Sequence, residues 1–410
     1  MKFVFRTLLS SMLIAAASGV YAQEAVTLTV TAWKGGTAEP AAFPGLIAKF
    51  EKENPSIKVK LEHVSRNDTT TLVSSRLQSG AGPDVMMVDR PLLRQWGGAG
   101  QLMDLSSEPA SSQLAADVKP LAELDGKVLM QPMELVGVGM LVNMDLLNKA
   151  GITKAPANVA ELKASCQKLN ALGVRPLLLP AKDGWGPMVF ALSMGMAPAL
   201  RESVNFVNDV VAKKKSFAGN PYFTKAVGTV KELADAGCYD AKLNVGVDVW
   251  NLGLSEFGAS RVAMMPQGAW SIQKFTKLKD FNFQFVPIPA LDGQKPGGMD
   301  MLGTAWAINR ATKQGDAAKK WLAFWAKDEN LGKFLEQEAA FTPFTKGTDW
   351  APRQADVYAQ ARKAGETVPY PKGVLSAAFF QEAQKSMTSY LLDLNQKPEA
   401  LLQRWDAAPN

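Results

Sequence analysis

The sequence predicts an α/β protein with two lobes, each built on a central sheet flanked by helices. The chain has 410 residues, which is long enough for two domains with separate cores. Between Val26 and Val88, a strand–helix–strand–helix–strand pattern predicts a parallel sheet that is covered on both faces. Alternation of helices and strands begins again after Asn143, which predicts a second unit of the same class.

Residues 1–22 are typical of a secretory signal peptide. Lys2 and Arg6 precede an apolar run, Leu8–Ala17, and the pattern that a signal peptidase reads predicts cleavage after Ala22. The run is too short to span a bilayer, which argues against the alternative of a membrane anchor. Removal of the two cations changes the formal net charge from +6 to +4. The remaining charges are scattered, so the sequence does not indicate a nucleic-acid-binding surface.

Three strands are predicted at the start of the mature chain. Val26–Thr31 is largely apolar, residues 57–61 alternate between apolar and charged side chains, and residues 85–88 form a continuous apolar run. Asn67 or Asp68 is predicted to cap the helix between the second and third strands. Open α/β sheets bind ligands at the loops that follow their strands. These loops carry Trp33, Lys34, Asp89 and Arg90.

The later part of the chain is predicted to contain further strands and helices. An apolar stretch over residues 135–142 precedes a helix over 158–172 and a buried strand over 176–179. Glycine-containing loops follow, and they carry Trp185 and Trp270. A strand-like run over 298–309 leads to a helix in which four apolar residues recur at i, i+3, i+4 and i+7, so its tryptophans are predicted to lie in the core: Ala318, Trp321, Leu322 and Trp325.

The chain contains two cysteines, Cys166 and Cys238. A signal peptide implies an oxidising compartment, in which a disulfide between them is one expectation. Two separately buried thiols are the alternative, because sequence alone does not determine pairing.

Several segments, taken together in their order and spacing, resemble the extracellular solute-binding proteins of family 1, the group typified by maltose-binding protein. They are the Trp33 loop and residues 50–55, 82–85, 141–147, 257–265, 268–270 and 286–289. One departure is that family members often carry Tyr-Tyr-Asn where this chain has Leu141-Val142-Asn143. Phenolic groups that line a sugar cleft at those positions are therefore absent.

The resemblance implies a two-lobed periplasmic binding protein fold, type II-like, with a hinge between the lobes. By this analogy the N-terminal lobe comprises residues 23–131 plus 292–343, and the C-terminal lobe comprises 132–291 plus 344–410. The implied function is capture of a mono- or oligosaccharide, or a polyol, in the interlobe cleft of a periplasmic monomer. The implied partners are the permease subunits and cytoplasmic ATPase of an ABC importer. The resemblance implies no cofactor and no metal.

Sugars need directed hydrogen-bonding groups for their hydroxyls and flat apolar groups for their C–H faces. The chain has ten tryptophans and one histidine, which fits such a site. The Asp89–Arg90 pair matches an acid–arginine pair that contacts sugar in the maltose-binding branch, and Trp270 matches a position at which the family often stacks an aromatic ring. The alternative for Asp89 and Arg90 is a surface ion pair. Trp306 could instead lie in the core, and Glu134 could pair with a neighbour in the hinge. The predicted ligand-binding residues are Trp33, Lys34, Glu39, Asn67, Asp89, Arg90, Glu134, Trp185, Trp270, Trp306, Trp350 and Tyr370.

Two other function classes remain open from the sequence. A single histidine argues against a serine triad and most histidine-based zinc sites. A glycosidase with two carboxylates is the enzymatic alternative, because sequence does not give the separation of carboxylates. The same fold with a non-sugar ligand, such as a polyamine or a peptide, is the other alternative. Abundant tryptophan favours a carbohydrate.

Overall fold

The backbone of the computed structural model is organised around two mixed sheets flanked by helices, as the sequence predicts. The structure describes residues 26–34, 43–116, 118–347 and 352–409, so the predicted signal peptide lies outside it. Within the described residues the strands are β1 (Val26–Ala32), β2 (Ile57–His63), β3 (Val85–Val88), β4 (Glu123–Leu124), β5 (Lys127–Val128), β6 (Gln131–Pro132), β7 (Leu135–Asn143), β8 (Arg175–Leu177), β9 (Val262–Gly268), β10 (Phe283–Val286), β11 (Met299–Leu302), β12 (Ala305–Ile308) and β13 (Val368–Pro369).

Helices cover the faces of both sheets. In the described ranges the α-helices are α1 (Phe43–Glu53), α2 (Arg66–Gln78), α3 (Arg90–Gly98), α4 (Lys119–Ala122), α5 (Met144–Lys149), α6 (Val159–Asn170), α7 (Trp185–Glu202), α8 (Phe206–Val211), α9 (Pro221–Asp235), α10 (Ala241–Val245), α11 (Leu252–Gly258), α12 (Ile272–Phe275), α13 (Gly315–Trp325), α14 (Asp328–Glu338), α15 (Asp356–Lys363), α16 (Ala377–Leu392) and α17 (Pro398–Ala407). Short 3₁₀ turns occur at Pro109–Gln113, Ala269–Ser271 and Arg353–Ala355.

The first sheet has the strand order β2-β1-β3-β12-β6. Strand β1 is parallel to β2 and β3, whereas β12 returns antiparallel between β3 and β6. The apolar run of β3 is buried at every position, while β2 lies at the edge of the sheet and its charged side chains face solvent. The continuous and alternating patterns therefore predict which strand is central and which is at the edge. The helix after β2 is capped by Ser65, which accepts a hydrogen bond from the Asp68 N–H, rather than by Asn67 or Asp68.

The second sheet is centred on β7 and has the order β13-β11-β7-β9-β8, with β10 also paired to β7. All nine residues of β7 are buried, as expected for a strand with partners on both sides. Strand β11 is antiparallel to β7, so Met299–Leu302 lies in the second sheet although the sequence-based lobe boundaries assign it to the first lobe. The run over 298–309 contains both β11 and β12, and its largely apolar strands, separated by only Gly303 and Thr304, give no signal for the change of sheet.

The core of the first sheet contains a group of interlocking aromatic rings. Trp321 and Trp325 are fully buried, which confirms the prediction from their helical spacing. Their ring centroids lie 5.7 Å apart in an edge-to-face arrangement, and Phe43 and Phe50 of α1 pack against them. Edge-to-face packing of this kind adds to the stabilisation from buried area. No helix within the described ranges is both long and apolar enough to cross a membrane.

Two crossovers between the sheets lie side by side at the hinge. The chain passes from β6 to β7 through Met133 and Glu134, and it returns from β11 to β12 through Gly303 and Thr304. The Met133 N–H donates to the Thr304 carbonyl at 2.9 Å, and the Gly303 N–H donates to the Glu134 carbonyl at 3.1 Å. Next to them, the backbones of Leu135 and Phe341 exchange hydrogen bonds at 2.9 and 2.8 Å, so the hinge is held by backbone hydrogen bonds among three segments.

An ion cluster lies against this hinge, and we call Lys34, Glu134 and Glu338 the hinge ion cluster. The Lys34 Nζ lies 2.8 Å from Glu134 Oε1 and 2.6 Å from Glu338 Oε2. Glu134 Oε1 also accepts from the N–H and the hydroxyl of Thr304, at 3.1 and 2.9 Å. Burial alone would lower the pKa of Lys34, but the two carboxylates raise it above its ordinary value, so this side chain stays charged.

Cys166 in α6 and Cys238 after α9 form a disulfide, which decides between the two alternatives that the sequence leaves open. Both residues are fully buried in the core of the second sheet. The bond joins α6 to the segment that follows α9, over a sequence separation of 72 residues.

Replacement of both cysteines by serine is expected to lower the free energy of unfolding by roughly 2–5 kcal/mol, because the bond restricts the unfolded chain over a long loop. Urea denaturation of protein lacking residues 1–22 measures this change. The C166S/C238S variant should give the same midpoint with and without a reductant, whereas the unchanged protein should lose stability on reduction. Equal midpoints for the oxidised protein and the variant would contradict a stabilising role.

Lys34→Met is expected to lower the free energy of unfolding at neutral pH by roughly 3 kcal/mol, because it leaves two carboxylates without their cation next to a buried hinge. Because the pKa of Lys34 is raised in the folded state, its contribution to stability is complete below the ordinary lysine value of 10.5 and is lost only as the pH rises through the higher folded-state value. Denaturant titration at neutral pH measures the loss.

Two matched variants control this experiment. Lys60 is exposed on β2, and Lys60→Met should change stability by less than about 0.5 kcal/mol. Neutralising the carboxylates in the triple variant K34M/E134Q/E338Q should recover part of the stability lost in K34M, because no uncompensated charge is then buried. A triple variant less stable than K34M would show that charge compensation is not the cause.

Candidate functional site

The described chain contains a cavity of about 560 Å³ between helix α3 beside the first sheet and the loops of the second sheet. The floor includes Val138 of β7 and Met301 of β11, next to the hinge. The remaining lining residues come from five segments: Pro91, Arg94, Trp185, Trp250, Trp270, Tyr370, Lys372, Gly373, Leu375, Ser376, Ala377, Phe380, Gln381 and Gln384. A cavity of this size suits a small-molecule ligand.

Three tryptophans from three separate loops form the most prominent feature of the cavity wall, and we call Trp185, Trp250 and Trp270 the tryptophan cluster. Their ring centroids are 5.8 to 6.3 Å apart, and the rings are inclined to one another by 35 to 60°. Trp250 is 45% exposed, while the other two are partly buried. The rings therefore present a broad apolar surface that is still open to a ligand.

Trp185 is held at the N-terminus of α7 by its two neighbours. Gly184 has a φ of 71°, and a Cβ at this position would lie 2.1 Å from the Gln384 carbonyl oxygen, so only glycine fits. Asp183 accepts a hydrogen bond from the Trp185 N–H at 3.2 Å. Partial burial raises the pKa of the Asp183 carboxyl, and the negative charge of Asp248 acts in the same direction.

Trp250 is positioned by an aspartate that organises its turn. Asp248 Oδ1 accepts hydrogen bonds from the N–H groups of Trp250 and Asn251, at 3.1 and 2.7 Å, and its Oδ2 accepts from Leu252. These backbone bonds, led by the one from Asn251, hold the pKa of Asp248 below its ordinary value. The exposed ring is therefore attached to an ordered turn.

Trp270 follows the end of β9, and its ring lies directly over Gly268. A Cβ added at Gly268 would lie 2.2 Å from the ring atom Cη2, so a side chain at this position would displace the indole. Gly268 thus explains why the Gly-Ala-Trp sequence places the ring against the strand end.

A second aromatic pair completes the apolar part of the cavity. The rings of Tyr370 and Phe380 are stacked, with centroids 5.6 Å apart and an interplanar angle of 14°. Burial raises the pKa of the Tyr370 hydroxyl. The ring therefore stays neutral at physiological pH and serves as apolar surface.

The polar groups of the cavity lie around this aromatic surface. Gln381 and Gln384, on one face of α16, supply amide groups, and Arg94 of α3 and Lys372 supply positive charge. Among the described lining residues none is Asp or Glu. Taken over all described residues, the structure contains no group of three or more His, Cys, Asp and Glu side chains that could hold a metal ion.

Three of the residues predicted from sequence lie together in this cavity: Trp185, Trp270 and Tyr370. Asp89 and Arg90 do not line it, although Pro91 and Arg94 of the same helix do. Asp89 caps α3 and forms a bidentate ion pair with Arg66, in which Nε and Nη2 of the guanidinium donate to the two carboxylate oxygens at 2.9 and 3.0 Å. Its hydrogen-bonding capacity is therefore used within the first sheet's own loops.

Arg90 points away from the cavity and donates to backbone carbonyls between Pro120 and Glu123. Its aliphatic part lies against the backbone of Gly373, where a Cβ would come within 2.0 Å of Arg90 Cγ. This contact joins the start of α3 to the segment that carries Tyr370 and Lys372, so Arg90 supports the cavity wall from behind.

The other predicted residues lie near the hinge or outside the cavity. Trp33 is partly buried, with the Arg66 guanidinium 5.4 Å from its ring centroid. Lys34 and Glu134 belong to the hinge ion cluster and are paired with each other. Glu39 and Trp350 lie outside the described residues, as does the side chain of Asn67 in the first turn of α2.

The prediction that Trp306 contacts ligand is wrong. Its side chain is fully buried in β12, where the ring packs against Phe43, Trp321 and Trp325 with centroid distances of 5.7 to 5.9 Å. The physical reason is that β12 lies between two strands of the first sheet and directs this ring into the core under α1 and α13.

Sequence reasoning missed Trp250, Phe380, Gln381 and Gln384. Trp250 could have been noticed because Asp248 precedes it at the spacing of an Asx turn. The glutamines carry no such signal, because they become neighbours of Trp185 only when α16 packs against α7.

Residues 34–331 match the bacterial extracellular solute-binding protein family. A multiple sugar-binding protein of Streptococcus mutans is 23% identical over 310 residues, which cover 73% of this chain and 71% of that protein. The diacetylchitobiose binding protein DasA of Streptomyces coelicolor is 24% identical over 360 residues, which cover 83% and 80%.

The same fold occurs in the apo form of RafE from Streptococcus pneumoniae, with a TM-score of 0.78 at 20% identity, covering 94% of this chain and 98% of that one. The family match spans well over half of the chain, and the two hinged sheets have the corresponding architecture. This chain belongs to the bacterial extracellular solute-binding protein family.

Proposed function

We propose that this protein is the solute receptor of an ABC importer and that it binds a mono- or oligosaccharide, or a polyol, in the cavity between its two sheets. The observation that carries the proposal is the tryptophan cluster, with Tyr370 and Phe380 beside it, at the wall of a hinged cavity. Relatives that cover most of the chain carry names for sugar and diacetylchitobiose binding, which supports the same class of ligand.

The chemistry of the cavity suits a carbohydrate better than a purely apolar or purely charged ligand. The C–H faces of a sugar ring pack on indole rings, and its hydroxyls need donors and acceptors around the edge. Gln381 and Gln384 each offer both a carbonyl and an amide group there, and Ser376 offers a hydroxyl. An aromatic wall with polar groups at its edge therefore addresses both surfaces of the ligand.

The cavity offers no support for a two-carboxylate glycosidase. Such an enzyme needs an acid and a second carboxylate on either side of the scissile bond. The described lining of the cavity has no carboxylate, and Glu134 is engaged by Lys34 and Thr304 at the hinge. We therefore propose binding and release of an unchanged ligand. The same lack of acids disfavours a polyamine, which would need carboxylates for its ammonium groups.

Binding is proposed to proceed through closure of the hinge. Arg94 and Pro91 lie on the side of the first sheet, and the tryptophan cluster lies on the side of the second. A ligand that contacts both sides favours the closed arrangement by its difference in affinity for the two states. The closed form would then be recognised by the permease, whose cytoplasmic ATPase drives import. Residues 1–22 would direct the protein to the periplasm, where we propose that it acts as a monomer.

Trp250→Ala and Trp270→Ala are each expected to weaken sugar binding by roughly 1–3 kcal/mol, as is typical of buried aromatic contacts in binding sites. A thermal-shift screen of sugars, polyols and amino acids first identifies a ligand, because a bound ligand raises the apparent stability. Isothermal titration calorimetry with that ligand then measures the affinity of each variant. Intrinsic tryptophan fluorescence should also change on binding, since Trp250 is 45% exposed without ligand.

Trp321→Phe is the matched control. This tryptophan is fully buried beneath the first sheet, and its indole N–H has no hydrogen-bond partner among the described residues, so phenylalanine preserves most of its packing. The variant should bind the ligand with unchanged affinity. If neither W250A nor W270A binds more weakly than W321F, the tryptophan cluster does not form the site. Recovery of cleaved sugar after incubation would overturn the assignment as a receptor.

A further inference from the structure

We propose that the natural ligand is an anionic saccharide, whose carboxylate, sulfate or phosphate groups are bound by lysine and arginine side chains around the tryptophan cluster. This inference rests on the proposed function, because it specifies the class of sugar that the same site binds. Two independent features carry it: the charge of the cavity lining, and a second basic depression that continues from the cavity.

The charged residues in the described lining of the cavity are both cations. Arg94 lies on α3 beside the first sheet, and Lys372 lies on the segment that follows β13 of the second sheet. Both side chains are exposed, and neither has an ion pair or a side-chain hydrogen bond with a described residue. Within the described ranges these donors therefore have no acceptor, and a ligand with anionic groups would complement them from both sides.

A third cation adds to the positive potential of this wall. The side chain of Arg90 packs on Gly373, next to Lys372, and its guanidinium is satisfied by backbone carbonyls rather than by a carboxylate. Burial, together with the positive charge of Arg94, lowers the pKa of Arg90 to about 10. The neighbouring Asp89 is neutralised by Arg66 and does not offset this charge.

A second depression, of about 420 Å³, continues from the cavity along helix α16. Gln381 and Gln384 line both spaces, so the two are adjacent. The depression adds Lys182 and Lys385, and both are exposed without a described ion pair. Its one acid, Asp183, is already engaged by the backbone of Trp185. Across both spaces, the lining that the structure describes has four cations and one carboxylate.

One face of α16 connects these groups. Gln381, Gln384, Lys385 and Thr388 are spaced at i, i+3, i+4 and i+7, which places them along one side of the helix. The stretch from Ala377 in the cavity to Thr388 in the depression covers roughly 16 Å at the rise of an α-helix. The groove is therefore longer than one sugar ring and suits an oligosaccharide with repeated anionic groups.

The alternative within the same function is a neutral sugar. Hydroxyls donate as well as accept, and a site for a neutral sugar gains from acceptor groups such as carboxylates. In this groove the amides of Gln381 and Gln384 supply carbonyl acceptors, but the charged side chains supply donors. This imbalance favours a ligand that brings its own acceptors in the form of anionic groups.

The test uses protein lacking residues 1–22 in a thermal-shift panel of paired probes. The panel contains trigalacturonate and its methyl ester, a sulfated carrageenan disaccharide and its desulfated form, sugar phosphates and their parent sugars, and neutral oligosaccharides such as raffinose and maltotriose. We expect an acidic member to give the largest stabilisation, and its neutral counterpart to give little. The pairs distinguish carboxylate, sulfate and phosphate as the group that is bound.

Calorimetry with the best ligand then measures Arg94→Gln, Lys372→Gln and Lys385→Gln. Each loss of a charge-assisted hydrogen bond is expected to weaken binding about ten-fold. Affinity for an acidic ligand should also fall as salt is raised, because the cations are exposed. Lys214→Gln is the matched control: this lysine is exposed outside both spaces, and its removal changes the net charge equally.

The outcomes separate this inference from the proposed function. If the best ligand is a neutral sugar, and R94Q and K372Q bind it as tightly as K214Q does, the anionic class is overturned and sugar binding stands. An equal effect of K214Q and K372Q on an acidic ligand would also overturn it, because only overall charge would then matter. If no saccharide of either kind binds, the proposed function fails together with this inference.

Discussion

The arrangement of the two sheets depends on one buried carboxylate. Glu134 is 1% exposed at the crossover into β7, and its Oε1 accepts from Lys34 of the first sheet and from Thr304 of the returning crossover. A buried charge needs such partners, because desolvation would otherwise cost several kcal/mol. The close packing also requires glycine at position 303, where a Cβ would lie 2.5 Å from the carboxylate oxygen. Glu134 on one crossover, with partners from the other crossover and from the loop after β1, therefore fixes where the two sheets meet.

The cavity is built asymmetrically on this frame. Its aromatic rings come from the loops of the second sheet and from the C-terminal segment, whereas the first sheet contributes Pro91 and Arg94 of α3. Each ring of the tryptophan cluster is positioned by a neighbouring residue. Gly184, in the left-handed conformation, precedes Trp185, Asp248 accepts from the N–H of Trp250, and Gly268 lies beneath the ring of Trp270. Rings fixed in this way lose little entropy when a ligand binds.

Much of the architecture could be predicted from sequence because it depends on local patterns. The buried run of β3, the alternating edge strand β2 and the helical spacing of Trp321 and Trp325 each reflect a period that the chain carries in a few residues. The change of sheet between β11 and β12 could not be predicted, because both are short, largely apolar strands that are separated by only Gly303 and Thr304. Which sheet each joins depends on β7 and β3, which are distant in sequence.

The candidate site was predicted only in part for a similar reason. Asp89 follows a buried strand, which correctly indicates the loop edge of the sheet, but the sequence does not show which side chain the carboxylate contacts. The Asp89 carboxylate forms an ion pair with Arg66, 23 residues earlier, and is therefore not directed at a ligand. Trp185 and Trp270 have flanking glycines that mark exposed loops. Trp306 has none, and its position in a central strand places it in the core.

Helix α16 and the residues from Tyr370 to Ser376 form one whole side of the cavity, and they lie far along the chain from Trp185, which they help to position. A nascent chain that ends before Gln384 lacks the backbone against which Gly184 packs, so the loop that carries Trp185 lacks this contact. Contacts over such long separations in sequence form late and slowly. The cavity is therefore incomplete until the segment from Tyr370 to Gln384 has packed against the loops of the second sheet.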